Sequence, residues 1–311
     1  LLTRADRRAF AVGVSVAVFS VLIALSVVSP APMRRVIESA NALWWVFSPM
    51  LTAIITAVAL VVTVNQLVLS QELGALGDQH RRMRDAIEFR ESVEPRLEIP
   101  IAPPDPASFL SALLEAVESV AADLESTVGT ADRTDEGVRQ FAADLSESAR
   151  DVRTDLEDAQ FGTFDVVAAS LRFDYSKHIH EARRIGAERE AALDDGARRS
   201  VEELSTMLEF YGSTREHVKT LYFQWELINL SRAMLYASIP ALAVAMGMLL
   251  YVDAAAVVGS MLGIDNIVWL VCAAATVTLS PFFLLVSYVL RIATVAKRTL
   301  AIGPFVLLEM K

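Results

Sequence analysis

Thr52, Thr56, Thr63, Gln66 and Ser70, with Ala59 among them, follow one another at steps of 4, 3, 4, 3 and 4 along a stretch without a charge, residues 46–69, and the residue just after it. That spacing is one face of a helix. Hydroxyls and amides on such a face replace part of an ion's hydration without a fixed charge, which is the chemistry of a passive pore wall. The same residue types also let two membrane helices touch, so packing is the competing reading, with Asn65 and Gln66 keeping a water-facing lining open. Ile54, Ile55, Val58, Val61, Val62, Leu67 and Val68 fill the rest of the circumference and suit lipid.

Three other clusters carry chemistry. Asp174, His178 and Glu181 lie at steps of 4 and 3, with His180 turned elsewhere, and a neutral imidazole between carboxylates can hold a divalent ion. In so acidic a region such triplets arise by chance, so a solvated face is the preferred reading and no metal is expected. Arg81, Arg82 and Arg84 could hold anionic lipid head groups, or pair locally with Asp78, Asp85 and Glu88. Gly74 and Gly77 weaken the helix that carries them and form a candidate hinge. His80 and His217 stand alone, and the acceptor triplet Asn229, Leu230, Ser231 abuts a span on the inner side. The common phosphate, zinc-hydrolase, serine-hydrolase and dithiol signatures do not occur, so no catalytic residue, no cofactor and no enzyme is predicted.

Four apolar stretches position these groups. With 54% hydrophobic residues and a mean hydropathy of +0.42, the chain is too apolar for an ordinary soluble domain. Residues 9–28, 46–69, 233–252 and 267–290 are each about long enough to cross a hydrocarbon layer of ~30 Å. The first is too long for the apolar core of a signal peptide and reads as a span. Gly13, Ala17, Ser20 and Ala24 give it a small-residue stripe for close packing. No span contains Asp, Glu, Lys, Arg or His, which argues against pumps and ion-coupled transport. The chain starts with Leu rather than Met and reads as trimmed from a longer one.

Charge sets the orientation. Arg4, Arg7 and Arg8 precede the first span, Arg81, Arg82 and Arg84 follow the second, Arg232 precedes the third, and Arg291, Lys297 and Arg298 follow the fourth. Positive residues mark the cytoplasmic side, which predicts both termini inside, with Arg34 and Arg35 as the exceptions. Residues 253–266 carry two acids and no base, as an outer loop should.

Between residues 71 and 230 there are 33 acidic and 18 basic residues, against a net charge of −10 for the whole chain. Such a block excludes nucleic acid as a partner. Only four of the 28 basic residues are lysines, a pattern that suits a salt-rich cytoplasm, so the protein reads as halophilic. Cys272 is the only cysteine, which excludes a disulfide within the chain.

Within the block, a helix is expected to run unbroken from the second span to Glu94, and prolines 100, 103, 104 and 106 predict an extended linker over 98–106. A helix over 107–128 follows. The next, with Thr134 or Asp135 as its cap, carries a seam of Val138, Ala142, Leu145, Ala149, Val152, Leu156 and Ala159. After a turn at 161–163, a single helix is expected over 164–195. Gly196 marks a break or kink, and a long helix then enters the third span, with Val201, Leu204, Leu208, Tyr211, Val218, Tyr222 and Trp225 on one face and Arg215 interrupting it. Kinks are expected at Pro240 and Pro281.

The sequence thus describes an all-α, four-span membrane protein. Its regions are 1–70, with spans one and two; 71–230, an acidic cytoplasmic helical bundle or coiled coil; and 231–311, with spans three and four. The layout resembles that of oligomeric channels with four spans per subunit. The favoured function is a homo-oligomeric passive channel of the cell membrane. The alternative is a membrane-anchored scaffold that recruits a cytoplasmic protein. Membrane lipid and further copies of the chain are the partners expected first.

Overall fold

The computed structural model describes residues 7–29, 32–39, 41–128, 133–157, 159, 164–188 and 193–298. In chain order the elements are α1 (Arg7–Val28), α2 (Met33–Glu38), α3 (Ala42–Glu72), α4 (Leu76–Leu97), α5 (Pro106–Thr127), α6 (Arg133–Glu157), α7 (Phe164–Ser170), α8 (Tyr175–Glu188), α9 (Asp195–Leu250), the two-residue strands β1 (Ser260–Met261) and β2 (Ile264–Asp265), and α10 (Asn266–Arg298). They fall into two units, parted at Leu73/Gly74, at Phe223/Gln224 and, near the end of α10, at Val295/Ala296. Four helices, α1, α3, α9 and α10, contain stretches long and apolar enough to cross a membrane.

The apolar unit holds all four. Phe47 of α3 packs with Ala245 and Met248 of α9 and with Ala274 and Ala275 of α10, and Leu22 of α1 joins their edge. Further along, Val61 meets Leu230, Met234 and Tyr288. The order of these contacts makes α3 antiparallel to this stretch of α9 and parallel to α10. Ile37, Ile267, Val268 and Cys272 close the end where α1 stops and α3 begins. There Arg34 Nε donates to Glu38 Oε1 at 2.7 Å and its guanidinium lies 3.8 Å from Asp265, so Arg34, one of the two exceptions to the charge pattern, is paired. β1 and β2 form an antiparallel hairpin at the same end. Leu262 (φ 57°) and Gly263 (φ 77°) supply the two left-handed residues that so short a connection requires. α9 and α10 continue through Pro240 and Pro281, and α3 through Pro49. Ile54 and Val61, expected to face lipid, are instead buried against the unit's own helices.

The acidic unit, Gly74–Phe223, is built on α5 and α6. Asp105 caps α5 by accepting from the Ser108 N–H at 2.9 Å, with Pro106 at the first helical position, where its missing N–H costs nothing. Leu110, Leu113, Leu114, Val117, Ala121 and Leu124 are buried, and so is the α6 seam from Val138 to Leu156. The partner of that seam is therefore α5 of the same chain. Glu118 of α5 accepts from Arg150 Nε of α6 at 2.8 Å and ties the pair together.

Several expected boundaries move. The helix from the second span does not run on to Glu94: α3 ends at Glu72, Leu73 is extended, and α4 starts at Leu76. The helix expected over 164–195 is two, because Asp174 caps α8 through its Oδ1 to the Lys177 N–H and ends the run from α7. Gly196 lies inside the first turn of α9 rather than at a break, and α6 is already helical at Arg133, before either expected cap. The side chains of residues 134 and 135 and the turn at 161–163 lie outside the described residues. Trp225 is 53% exposed and leaves the buried face on which it was expected.

Candidate functional site

Phe47, Ile54 and Val61, seven residues apart, form the ridge by which α3 packs on its own unit. At 100° per residue, Thr56 and Thr63 stand about 160–180° round the helix from Phe47. Thr52, Thr56, Ala59, Thr63, Gln66 and Ser70 are all exposed, so the polar stripe is the face turned away from its own chain.

Each hydroxyl on the stripe gives its proton to the preceding turn. Thr56 Oγ1 donates to the Thr52 carbonyl at 2.8 Å, Thr63 Oγ1 to Ala59 at 2.9 Å, Ser70 Oγ to Leu67 at 2.7 Å, and Thr52 Oγ1 to Ser48 at 3.4 Å. Such back-bonding satisfies the donor without water. What the stripe offers outward is therefore methyl groups, oxygen lone pairs and the Gln66 amide. Lone pairs can accept from water or meet a cation.

Gly74 lies in the non-helical Leu73–Ala75 link, where the Leu73 N–H closes α3 on the Leu69 carbonyl at 3.0 Å and the Ala75 carbonyl receives the N–H of Asp78 at 2.9 Å. Gly77 is inside the first turn of α4. Neither has a left-handed φ, and a Cβ on either would meet ordinary contacts, at 3.5 Å from Gln79 Nε2 and 3.9 Å from Arg81 Nη1. In the basic cluster Arg81 donates to Asp78, and Arg84 Nη2 lies 3.2 Å from His80 Nε2.

The triplet considered for metal is separated by its surroundings. His178 is buried, stacked on Phe173 at 5.3 Å between ring centroids, and burial holds its imidazole below its ordinary pKa of 6.5. Asp174 is spent as the cap of α8, and Glu181 pairs with Arg184. Among the described residues no group of three His, Cys, Asp or Glu is arranged to hold a metal ion.

Two arrangements escape sequence reasoning. The first centres on Arg215, which reads as an interruption of an apolar face but is buried, with its guanidinium 4.3 Å above the Tyr175 ring and donating to Glu216 at 3.1 Å. Beside it Tyr211 donates to the Ser170 carbonyl at 2.9 Å, and burial raises its phenol pKa. Gly212 completes the node: a Cβ there would run into the Tyr175 ring as it stands, so the glycine is what lets α9 approach α8 so closely. The second is a clamp on the proline linker. Arg90 donates to the carbonyls of Ala102 and Pro103, Glu94 accepts from the Ala102 N–H at 2.9 Å, and Phe89 packs edge-on against Phe210 at 5.5 Å. A glycine beside a tyrosine, and Arg and Glu one helical turn apart, are the only sequence traces of either.

A helical chain with four apolar helices of this length suggests a membrane protein. The whole chain, residues 1–311, matches DUF7972, a family of unknown function, and belongs to it. No curated protein and no solved structure matches the chain.

Proposed function

We propose that this is a multi-pass protein of the cell membrane in which several copies gather the outward face of α3 around a shared axis and form a passive pore. The single observation that carries this reading is that Thr52, Thr56, Thr63, Gln66 and Ser70 face away from their own chain. A polar side on a span is turned toward protein or water where either is within reach. The outward lone pairs favour small cations over anions as the permeant species. In this reading α1, α3, the later part of α9 and α10 span the bilayer. The acidic unit is inserted between the second and third spans on the cytoplasmic side, both termini are cytoplasmic, and movement at Leu73–Ala75 and Gly77 opens or closes the pore. The basic residues at the span ends support that orientation. The Lys-poor acidic surface suits a salt-rich cytoplasm. No catalysis and no nucleic acid enter the reading.

Back-bonding of the four hydroxyls favours a second reading, since it lets the same face meet lipid at little cost. The spans would then anchor the acidic unit as a scaffold for a cytoplasmic protein. Flux from liposomes holding the purified protein separates the two, with Thr56→Leu/Gln66→Leu as the control. The pore reading expects cation flux that the double variant loses while keeping its oligomer mass. Absence of flux under every gradient, equal flux in the variant, or a strict monomer in the membrane would overturn it.

A further inference from the structure

α4 is two different helices end to end. From Phe89 onward it is held by the linker clamp, the Phe89 contacts to Phe109 and Phe210, and the buried Val93. From Leu73 to Glu88 every residue is exposed. That exposed half is not uniformly polar. Leu76, Met83 and Ile87 are 87%, 67% and 48% exposed and stand seven and four residues apart, which is a single stripe on a helix. At 100° per residue Arg84 lies about 80° to one side of the stripe, Arg82 about 120° to the other and Arg81 about 140° round the helix from it.

We infer that the Leu76–Glu88 half of α4 lies on an anionic bilayer surface, with Leu76, Met83 and Ile87 in the acyl-headgroup boundary and Arg81, Arg82 and Arg84 among the head groups. Three observations converge on a bilayer rather than a protein partner. The first is the tether: only Leu73–Ala75 separate α4 from α3, and three extended residues reach no more than about 11 Å. If α3 spans the membrane, as proposed above, the start of α4 cannot leave its surface. The second is charge. In a region with 33 acids and 18 bases, Leu76–Glu88 balances Arg81, Arg82 and Arg84 against Asp78, Asp85 and Glu88, so an anionic surface repels it less than the rest of the region, and its three bases fall together within four positions. The third is geometry, an apolar stripe with Arg84 beside it and Arg81 and Arg82 toward the opposite, polar face, long cationic side chains whose stems can snorkel, which is the pattern of helices lying in the interface plane. Arg81 pairs with Asp78 and Arg84 lies against His80, yet the Arg81 side chain stays 71% exposed and Arg82 and Arg84 are exposed as well.

The inference rests on α3 being a membrane span, so the test reads that separately. In the full chain with Cys272→Ala, single cysteines at Met83, Ile87, Arg81, Asp85 and Leu60 are spin-labelled in liposomes of mixed anionic and zwitterionic phospholipid. Collisions with oxygen, which concentrates in lipid, are compared with collisions with a water-soluble nickel complex. The ratio of oxygen to nickel collisions is expected to be several-fold higher at 83 and 87 than at 81 and 85, and highest at 60. It should fall at 83 and 87 when Arg81, Arg82 and Arg84 are all changed to Gln. A lipid-like signal at 60 with water-like signals at 83 and 87 overturns this inference and leaves the span intact. Labels at 83 and 87 shielded from both reagents would mean a protein surface covers the stripe and would equally overturn it. A water-like signal at 60 removes the span and the inference with it.

Discussion

The acidic and apolar units are both helical, yet they use apolar residues in opposite ways. In the acidic unit the α5 stripe and the α6 seam are buried almost to the last residue, while in α1 only 6% of the most apolar window is buried, against 44% for α10. Water penalises every exposed methylene, at roughly 25 cal/mol per Å², so in the acidic unit an apolar face must find a partner. A helix surrounded by acyl chains pays no such penalty, so its packing face is marked by small residues and shape rather than by hydrophobicity.

The largest test of that contrast is the same truncation made in both units. Leu145→Ala, at a position with no exposure, should cost the acidic unit about 3 kcal/mol. Leu60→Ala, 58% exposed on α3, should cost less than about 0.5 kcal/mol. Hydrogen exchange of the full chain in lipid discs, with urea, reads both; equal effects would break the comparison.

Next is Gly212→Ala, which drives a methyl into the Tyr175 ring and should destabilise the acidic unit by about 2 kcal/mol. Tyr175→Leu in the same chain should recover part of that loss, because it removes the ring the methyl strikes. No change in the exchange of α8 and α9 on Gly212→Ala would show that the ring simply swings away.

A smaller effect comes from His178. Burial lowers its pKa in the folded chain, so between that value and the ordinary 6.5 the unfolded chain binds the proton more readily. Its stabilising share is therefore complete above about pH 6.5 and is lost as the pH falls below it, at up to about 1.4 kcal/mol per pH unit. His178→Phe keeps the stack on Phe173 and should flatten this slope between pH 5 and 7; an unchanged slope would assign it to another group.

Smallest of all, Gly74→Ala with Gly77→Ala should leave the fold intact and stabilise it by no more than about 1 kcal/mol, since both sites have room for a Cβ. If the two glycines are a hinge, flux or its gating should change far more than stability does. An unchanged flux would remove the hinge and leave the pore.

Legibility follows the same divide. The α6 seam could be read residue by residue because its spacing had to answer to water, whereas Ile54 and Val61 could not be told from Ile55 and Val62, all four being equally content in lipid. The polar stripe of α3 was visible as a pattern, but its direction was not. Arg215 looked like an error in an apolar face because a cation over an aromatic ring involves Tyr175, forty residues away on another helix. The clamp by Arg90 and Glu94 was invisible for the same reason, its carbonyl partners lying on a linker with no pattern of its own.

By itself the sequence determined that the chain is helical, that four stretches are long and apolar enough to cross a membrane, and that an acidic helical region lies between the second and third. These follow from composition and period, which act locally along the chain. Only the tertiary structure decided that the α6 seam is satisfied by α5 of the same chain, that α3 stops at Glu72, that α7 and α8 are separate, and that the hydroxyl stripe faces outward. Each depends on which surfaces meet across long separations in sequence, and the spacing along one helix carries no information about its neighbour.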